Sequence, residues 1–188
     1  MLGSFNPIRS LSITVVTAQL IIQGSLRTRL RRLTDVLSEP DCKHLILIDA
    51  TFLEIGSRRV VANSIVSQVQ LSDVLFVHTN GEAESGQEMR TPKQAIRAIL
   101  LAPPFTIDGQ IHLPIESELY QALDSFDGKF VPVTNARYWA YGVAESPNHV
   151  DLLALNLARA HVSVPPGVVW NKDGPSEAAS RGGGSNPW

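Results

Sequence analysis

Apolar residues in this chain fall into short runs with two different spacings. Runs rich in Val, Ile and Leu occupy 11–26, 43–55 and 58–77, which is typical of β-strands. Between the first two runs, residues at helical spacing end before Pro40; they are Leu30, Leu33, Val36 and Leu37. The pattern predicts one or two strands with a turn or bulge at Gly24, a short helix, a long strand, and a final region of one bent or two short strands.

The same order returns later in the chain. Residues 33–56 align without a gap on 119–142, at an offset of 86, so that Gly56 matches Gly142. A second helix is predicted around Leu119, Leu123 and Phe126, a second long strand at 130–141, and further strand at 150–164. The chain is therefore interpreted as an internal repeat.

We predict a mainly β fold with short helices (α+β), made of two tandem small β-barrel-like lobes. Each lobe would run strand–helix–strand–strand–strand, and the sheet would curl on itself to protect its edges. A pseudo-twofold axis could relate the lobes, as in a fused symmetric dimer. The predicted divisions are an irregular leader, the first lobe, a linker, the second lobe and a flexible Pro/Gly-rich tail, at 1–10, 11–78, 79–92, 93–164 and 165–188.

One phrase of the second lobe resembles a known family. Leu119 and Leu123 begin it, Phe-Val-Pro-Val-Thr-Asn-Ala-Arg follows at 130–137, and a strand ending in Leu-Asn-Leu closes it at 155–157. This resembles an uncharacterised bacterial domain of unknown function with a small Sm-like β-barrel. The resemblance covers most of both lobes and implies a binding or assembly role. It brings no catalytic motif and transfers no functional residue.

Composition and charge exclude several kinds of site and partner. Apolar residues make up 44% and charged residues 18% of the chain, enough to bury a core, and the net charge of −2 does not favour polyanions. The single cysteine, Cys42, excludes an intrachain disulfide or a cysteine zinc site. The apolar region at 11–22 is too short and too polar to cross a bilayer, and no clear signal peptide begins the chain. We expect a cytoplasmic protein without a membrane partner.

Three aligned positions reverse their charge between the lobes. Arg32 matches Glu118, Arg59 matches Glu145, and Asp73 matches Arg159. Reversed signs would attract about a twofold axis and would also favour head-to-tail contacts between molecules, which close into rings or continue as filaments. Free drift of surface charge after duplication explains the reversals equally well. Because an exposed ion pair contributes at most about 1 kcal/mol, the gain would be specificity.

A basic cluster gives the alternative function. It contains Arg27, Arg29, Arg31 and Arg32, with Arg58 and Arg59 expected near it in space. Such a cluster could hold the phosphates of RNA or a nucleotide. A solvated rim is the other interpretation, since no aromatic residues are interleaved to stack on bases.

No motif identifies a reaction, a metal or a cofactor. The five histidines lack the spacing of metal ligands; His149 and Asp151 could together bind a metal, although a loop edge is the favoured interpretation. Neither a P-loop nor a nucleophile elbow is present. Asp49 and Asn135 occupy matching breaks in the long strands, where a turn is favoured over a ligand contact. We predict no enzyme, no cofactor and no metal; an active site between the lobes is the third hypothesis.

Two tryptophans, Trp170 and Trp188, lie in the predicted tail. Large aromatic residues are enriched as anchors at interfaces, so they are candidate contacts with a partner or another copy. The leading prediction is a non-enzymatic interaction or assembly module that binds itself, as a homo-oligomer, or another protein.

Overall fold

The structure, a computed structural model, describes residues 7–30, 32–80, 93–115, 118–125, 129–143 and 146–168. The first half of the chain forms β1 (Arg9–Thr17), β2 (Leu20–Thr28), α1 (Leu33–Ser38), β3 (His44–Glu54), β4 (Val60–Gln70) and β5 (Val74–Thr79). The second half forms β6 (Lys93–Ala102), β7 (Phe105–Pro114), α2 (Leu119–Asp124), β8 (Phe130–Ala140), β9 (Asn148–Asn156) and β10 (His161–Ser163). A 3₁₀ turn at Leu157–Arg159 separates the last two strands.

All ten strands belong to one antiparallel sheet. Their order across the sheet is β10-β6-β7-β8-β9-β5-β1-β2-β3-β4. Within each half the strands are ordered fifth, first, second, third, fourth. The pairing of β9 with β5 joins the halves, and we call this junction the seam. Within the described residues, the sheet ends at β4 on one side and at β10 on the other, and we call these its free edges.

The predicted fold class was wrong in its architecture. The structure contains one open ten-stranded antiparallel sheet with two short helices, instead of two separate barrel-like lobes. The error arose because the pattern reports which residues form strands but not that β9 and β5 pair across the two halves. The seam also joins unlike strands, fourth to fifth, so the halves do not meet about a twofold axis.

The short connection between β4 and β5 bends the sheet within the first half. In a flat sheet, the first and last of five strands would lie about 19 Å apart, given about 4.8 Å per strand. Only residues 71–73 connect β4 to β5, and a chain of that length spans at most about 14 Å. The sheet must therefore curve so that its fifth and fourth strands approach.

Matching bulges in β3 and β8 help this curvature. Asp49 and Asn135 have left-handed backbone, with φ of 50° and 48°, where the register with the neighbouring strand shifts. Opposite the second bulge, a Cβ on Gly109 would lie 2.6 Å from a methyl of Val133. Asp49 and Asn135 thus lie in bulges inside strands, and the Asn135 amide donates from Nδ2 to Oε1 of Gln110 at 3.2 Å; the role of capping a turn stays a prediction.

Buried side chains form two clusters, one in each half, that meet at the seam. Leu37, Leu45 and Leu47 lie in the first cluster, whereas Leu100, Ile107 and Ile111 lie in the second. Phe76 of β5 belongs to the second-half cluster, and Phe130 of β8 belongs to the first-half cluster. This exchange of large side chains ties the halves together.

Candidate interaction surfaces

The seam buries the whole apolar run of β5. Residues 74–78 are buried because β5 lies between β1 and β9 in the middle of the sheet. Across the seam, Phe76 lies opposite Leu155, and His78 lies opposite Leu153. The Phe76 ring packs edge-on against Tyr138, with 4.9 Å between the ring centroids. Such aromatic pairs contribute about 0.5–1.5 kcal/mol beyond the area they bury.

Polar contacts fix the position of the seam. The buried Asn156 side chain donates from Nδ2 to the carbonyls of Leu71 (3.3 Å) and Val74 (2.9 Å). Its Oδ1 accepts from the backbone N–H of Ala158, so the amide group is used on both sides. Arg159 donates from Nη1 to the carbonyl of Ser72 at 3.1 Å. The turn that precedes β5 is thus held by the end of β9.

His78 and Tyr138 form a buried pair across the seam. Nε2 of His78 lies 3.2 Å from the Tyr138 hydroxyl, and Nδ1 lies 3.2 Å from the carbonyl of Thr79. Burial lowers the pKa of His78 below its ordinary value, and the charge of Arg58 lowers it further against the hydrogen bond with Thr79. Burial likewise raises the pKa of Tyr138. Both side chains are therefore neutral near pH 7.

The free edge at β4 is exposed and apolar. Eight large apolar side chains are exposed among the described residues, and five of them lie on β3 and β4: Ile46, Val60, Val61, Ile65 and Val66. We call these five the edge patch. Ile65, the most exposed, has 80% of its surface open to solvent. Soluble proteins usually blunt such an edge with charge or proline, and β4 contains neither.

The opposite edge is much shorter. β10 contains only three residues, His161–Ser163, of which the middle one is half-buried and the outer two are exposed. It pairs on one side with β6, where Val162 lies opposite Leu100. The other side of this strand has no strand beside it in the part of the chain that the structure describes.

Of the charge-reversed positions, the structure brings one pair together. Arg159 and Asp73 line the same open cavity of about 470 Å³ beside the seam. Arg59 instead lies 3.5 Å from Glu54 in its own half. The hydrogen bond from the Ser57 hydroxyl, followed by the charge of Arg59, lowers the pKa of Glu54. Arg32 and Glu118 hold the matching positions just before α1 and α2. Glu145 lies outside the described residues.

The predicted arginine cluster is divided by the fold. Arg27 and Arg29 are exposed at the end of β2, beside the start of β3, and Arg32 follows before α1. Arg58 and Arg59 occupy the turn after Glu54, at the other end of β3. The expectation that these two groups lie near each other was wrong, because β2 and β3 run antiparallel and place them at opposite strand ends. Arg31 lies outside the described residues.

A second arginine site escaped the sequence reasoning. The Asp108 carboxylate is buried and accepts hydrogen bonds from Arg97 (both 2.9 Å) and from Arg137 (2.6 Å). These bonds, first that of Arg97, lower the pKa of Asp108 against the opposing effect of burial. The three residues meet because β6, β7 and β8 are neighbours. Only the strand register could have revealed this site.

The other candidates for chemistry do not converge. His149 and Asp151 are exposed on β9, and Cys42 donates from Sγ to the carbonyl of His44 at 3.4 Å. Among the described residues, no group of three His, Cys, Asp or Glu side chains could hold a metal ion. The tail candidates Trp170 and Trp188 lie outside the described residues, as does most of the predicted linker.

Comparisons with known proteins add no assignment. Neither a family model, a curated protein nor a solved structure matches this chain. Within the described residues, no helix has the length and apolar character needed to cross a membrane.

Proposed function

We propose that this protein is a non-enzymatic interaction module that assembles with other copies of itself through its two sheet edges. The edge patch on β3 and β4 carries this proposal, since it holds five of the eight large apolar side chains that are exposed among the described residues, at an edge beside which no described strand lies. A Val or Ile side chain contributes on the order of 1.5–3 kcal/mol when it becomes fully buried. A strand that covers this edge would satisfy its backbone and shield its side chains.

The seam supplies the pattern for such a contact. There, the fourth strand of one half pairs with the fifth strand of the other half. The two free edges of the chain are again a fourth strand, β4, and a fifth strand, β10. Val77 lies opposite Val15 in the first half, and Val162 lies opposite the matching Leu100 in the second half, so Val162 holds the position of Val77. The pairing of Val77 with Ala154 in the seam would then become the pairing of Val162 from one copy with Gln68 of the next, close to Ile65 and Val66.

The helices support the same arrangement. In the seam, α1 packs on β8, where Phe130 joins Leu33 and Leu37 in one buried cluster. The matching surfaces at the free ends are α2 and β3. Each exposes a large apolar side chain: Tyr120 of α2 is 69% exposed, and Ile46 of β3 is 43% exposed. Docking of a second copy in the seam geometry would bring α2 against β3 and cover both.

Charged side chains would determine which edge of one copy meets which edge of the next. Arg159 contacts the turn before β5 within the chain, and Asp73 holds the matching position beside the free edge. Contacts between unlike edges are heterologous, so copies would add head to tail. Exposed charges add little affinity but select the correct partner surface. We place this assembly in the cytoplasm, a proposal that rests on the single cysteine.

Light scattering at several protein concentrations and salt concentrations tests the proposal. We expect a mass above that of one chain, rising with concentration. The double variant Ile65→Asp/Val66→Asp should be a folded monomer, because both side chains are exposed and their charges would repel an incoming strand. Ile8→Asp is the matched control, since Ile8 is also an exposed apolar residue but lies outside the edge patch.

A wild-type protein that stays monomeric in every condition would overturn self-assembly. RNA binding by Arg27, Arg29 and Arg32 is the alternative, and its affinity should fall steeply as salt rises. An oligomer that the double variant leaves intact would place the contact elsewhere on the molecule.

A further inference from the structure

A cavity of about 260 Å³ opens where the two halves meet, and we call it the seam pocket. Its apolar wall combines Leu33 of α1 with Pro132 of β8 and with Leu152 and Ala154 of β9. Because the wall draws on both halves, the pocket exists only where the seam is formed. Its volume lies just below the range of about 300–1,000 Å³ that is typical of small-molecule sites.

The polar side of the seam pocket is basic. Lys93 and His112 line it together with the hydroxyl of Thr134, which lies 2.9 Å from Nε2 of His112. Arg32 adds a further positive charge. No Asp or Glu is found among the described residues of the lining. The Lys93 ammonium also has no ion-pair partner within the described part of the chain.

The charge of Lys93 acts on His112. Burial is the main cause that lowers the pKa of His112, and the charge of Lys93 lowers it further. The ammonium therefore lies close enough to the pocket to act on a group inside it. A negatively charged ligand would give Lys93 a partner.

We propose that the seam pocket binds a small organic anion, with its apolar body against Leu152 and Pro132 and its carboxylate or sulfonate at Lys93. The apolar wall supplies the contact area, and the cation at its mouth selects for negative charge. The ligand would bridge the two halves of one chain. Binding therefore does not require a second copy.

Two probes of similar shape, one charged and one neutral, distinguish the contribution of the ligand's charge from that of its apolar body. Naphthalene-1-sulfonate carries the anion, and naphthalene-1-sulfonamide is its neutral counterpart. We expect saturable shifts in ¹H–¹⁵N spectra at the amides of Thr134, Leu152 and Ala154, with the sulfonate bound about tenfold more tightly, which corresponds to about 1.4 kcal/mol.

Variants then locate the site. Lys93→Glu should weaken the binding of naphthalene-1-sulfonate about tenfold or more, whereas Lys43→Glu, an exposed lysine outside the pocket, should leave it unchanged. Leu152→Trp should block both probes by filling the cavity. Repeating the titration on Ile65→Asp/Val66→Asp keeps the result independent of self-assembly.

Equal affinity for the two probes would overturn the proposal, as would the absence of saturable shifts at millimolar concentration. Shifts confined to β4 would show that the probes bind the edge patch instead. Unchanged affinity in Lys93→Glu would remove this lysine from the site.

Discussion

β9 and β4 hold the fourth position in the two halves, yet they end in opposite environments. The last four residues of β9 are buried in the seam, whereas in the matching stretch of β4 only Val69 is buried. The sequences follow this difference: Leu153, Ala154 and Leu155 line up with Ser67, Gln68 and Val69. The seam is thus built as permanent core, whereas the matching stretch 67–70 of β4 is a more polar surface.

This contrast refines the proposed assembly. A polar stretch at 67–70 beside the exposed apolar residues at 60–66 is typical of a contact that forms and dissociates. The permanent junction lies within the chain, where its two strands cannot separate by dilution. The contact between copies would then respond to concentration, while the seam would not.

Of the substitutions that compare the seam with the free edge, truncation of Phe76 should cause the largest loss in the free energy of unfolding. Phe76→Ala removes a fully buried ring that packs on Tyr138, and we expect a loss of about 3–5 kcal/mol in the free energy of unfolding. Ile65→Ala on the free edge should change that free energy by less than about 0.5 kcal/mol in the monomer. Denaturant unfolding measures both, and similar losses would remove the contrast.

Removal of the Asn156 amide should have an intermediate effect. Asn156→Ala leaves the carbonyls of Leu71 and Val74 without its hydrogen bonds, at a cost of about 1–3 kcal/mol. Gln70→Ala changes the matching, exposed residue on β4 and should be close to neutral. The same unfolding experiment compares them; a larger loss in Gln70→Ala would contradict the assignment of Asn156 to the seam.

Acidification should weaken the seam through His78, with the smallest effect of the three. The pKa of His78 is lowered in the folded state, so the unfolded chain binds more protons below about pH 6.5. Stability is then fully present above that pH and falls as the pH drops toward the folded-state pKa, by at most about 1.4 kcal/mol per pH unit. Unfolding measured across this range tests the slope.

Two variants separate His78 from the other histidines. His78→Gln should reduce the slope, while His161→Gln, which changes an exposed residue on β10, should leave it unchanged. A smaller slope should persist in His78→Gln, because burial and Lys93 also lower the pKa of His112. If the free energy of unfolding changes with pH as steeply in His78→Gln as in the wild type, protonation of His78 is not the cause of the change.

Local pattern was sufficient to predict the elements but not their partners. The spacing of Leu33 and Leu37 predicted α1, and the apolar run within residues 43–55 predicted β3, because both signals arise within one element. The seam could not be predicted in this way, since Phe76 and Leu155 are far apart in the chain. The continuous apolar run of β5 does indicate burial on both faces, without identifying the neighbouring strand.

The arrangement of the charged sites also depends on strand pairing, which the sequence pattern does not report. Arg97, Asp108 and Arg137 form one site because a bulge at Asn135 sets the register of β7 against β8. No spacing in the sequence marks this relation. Conversely, Arg27 and Arg59 looked like members of one cluster, but the antiparallel pairing of β2 with β3 separates them.

The fusion of two five-strand units in one chain has a numerical consequence. Any closed ring that repeats the seam geometry must contain an even number of units, since each chain contributes two. Covalently linked and dissociable junctions would alternate around it, so a substitution in β9 alters every second junction and spares the others. Mass measurements should then show only whole-chain steps, and the number of symmetry-equivalent positions in such a ring would equal the number of chains, half the number of its five-strand units.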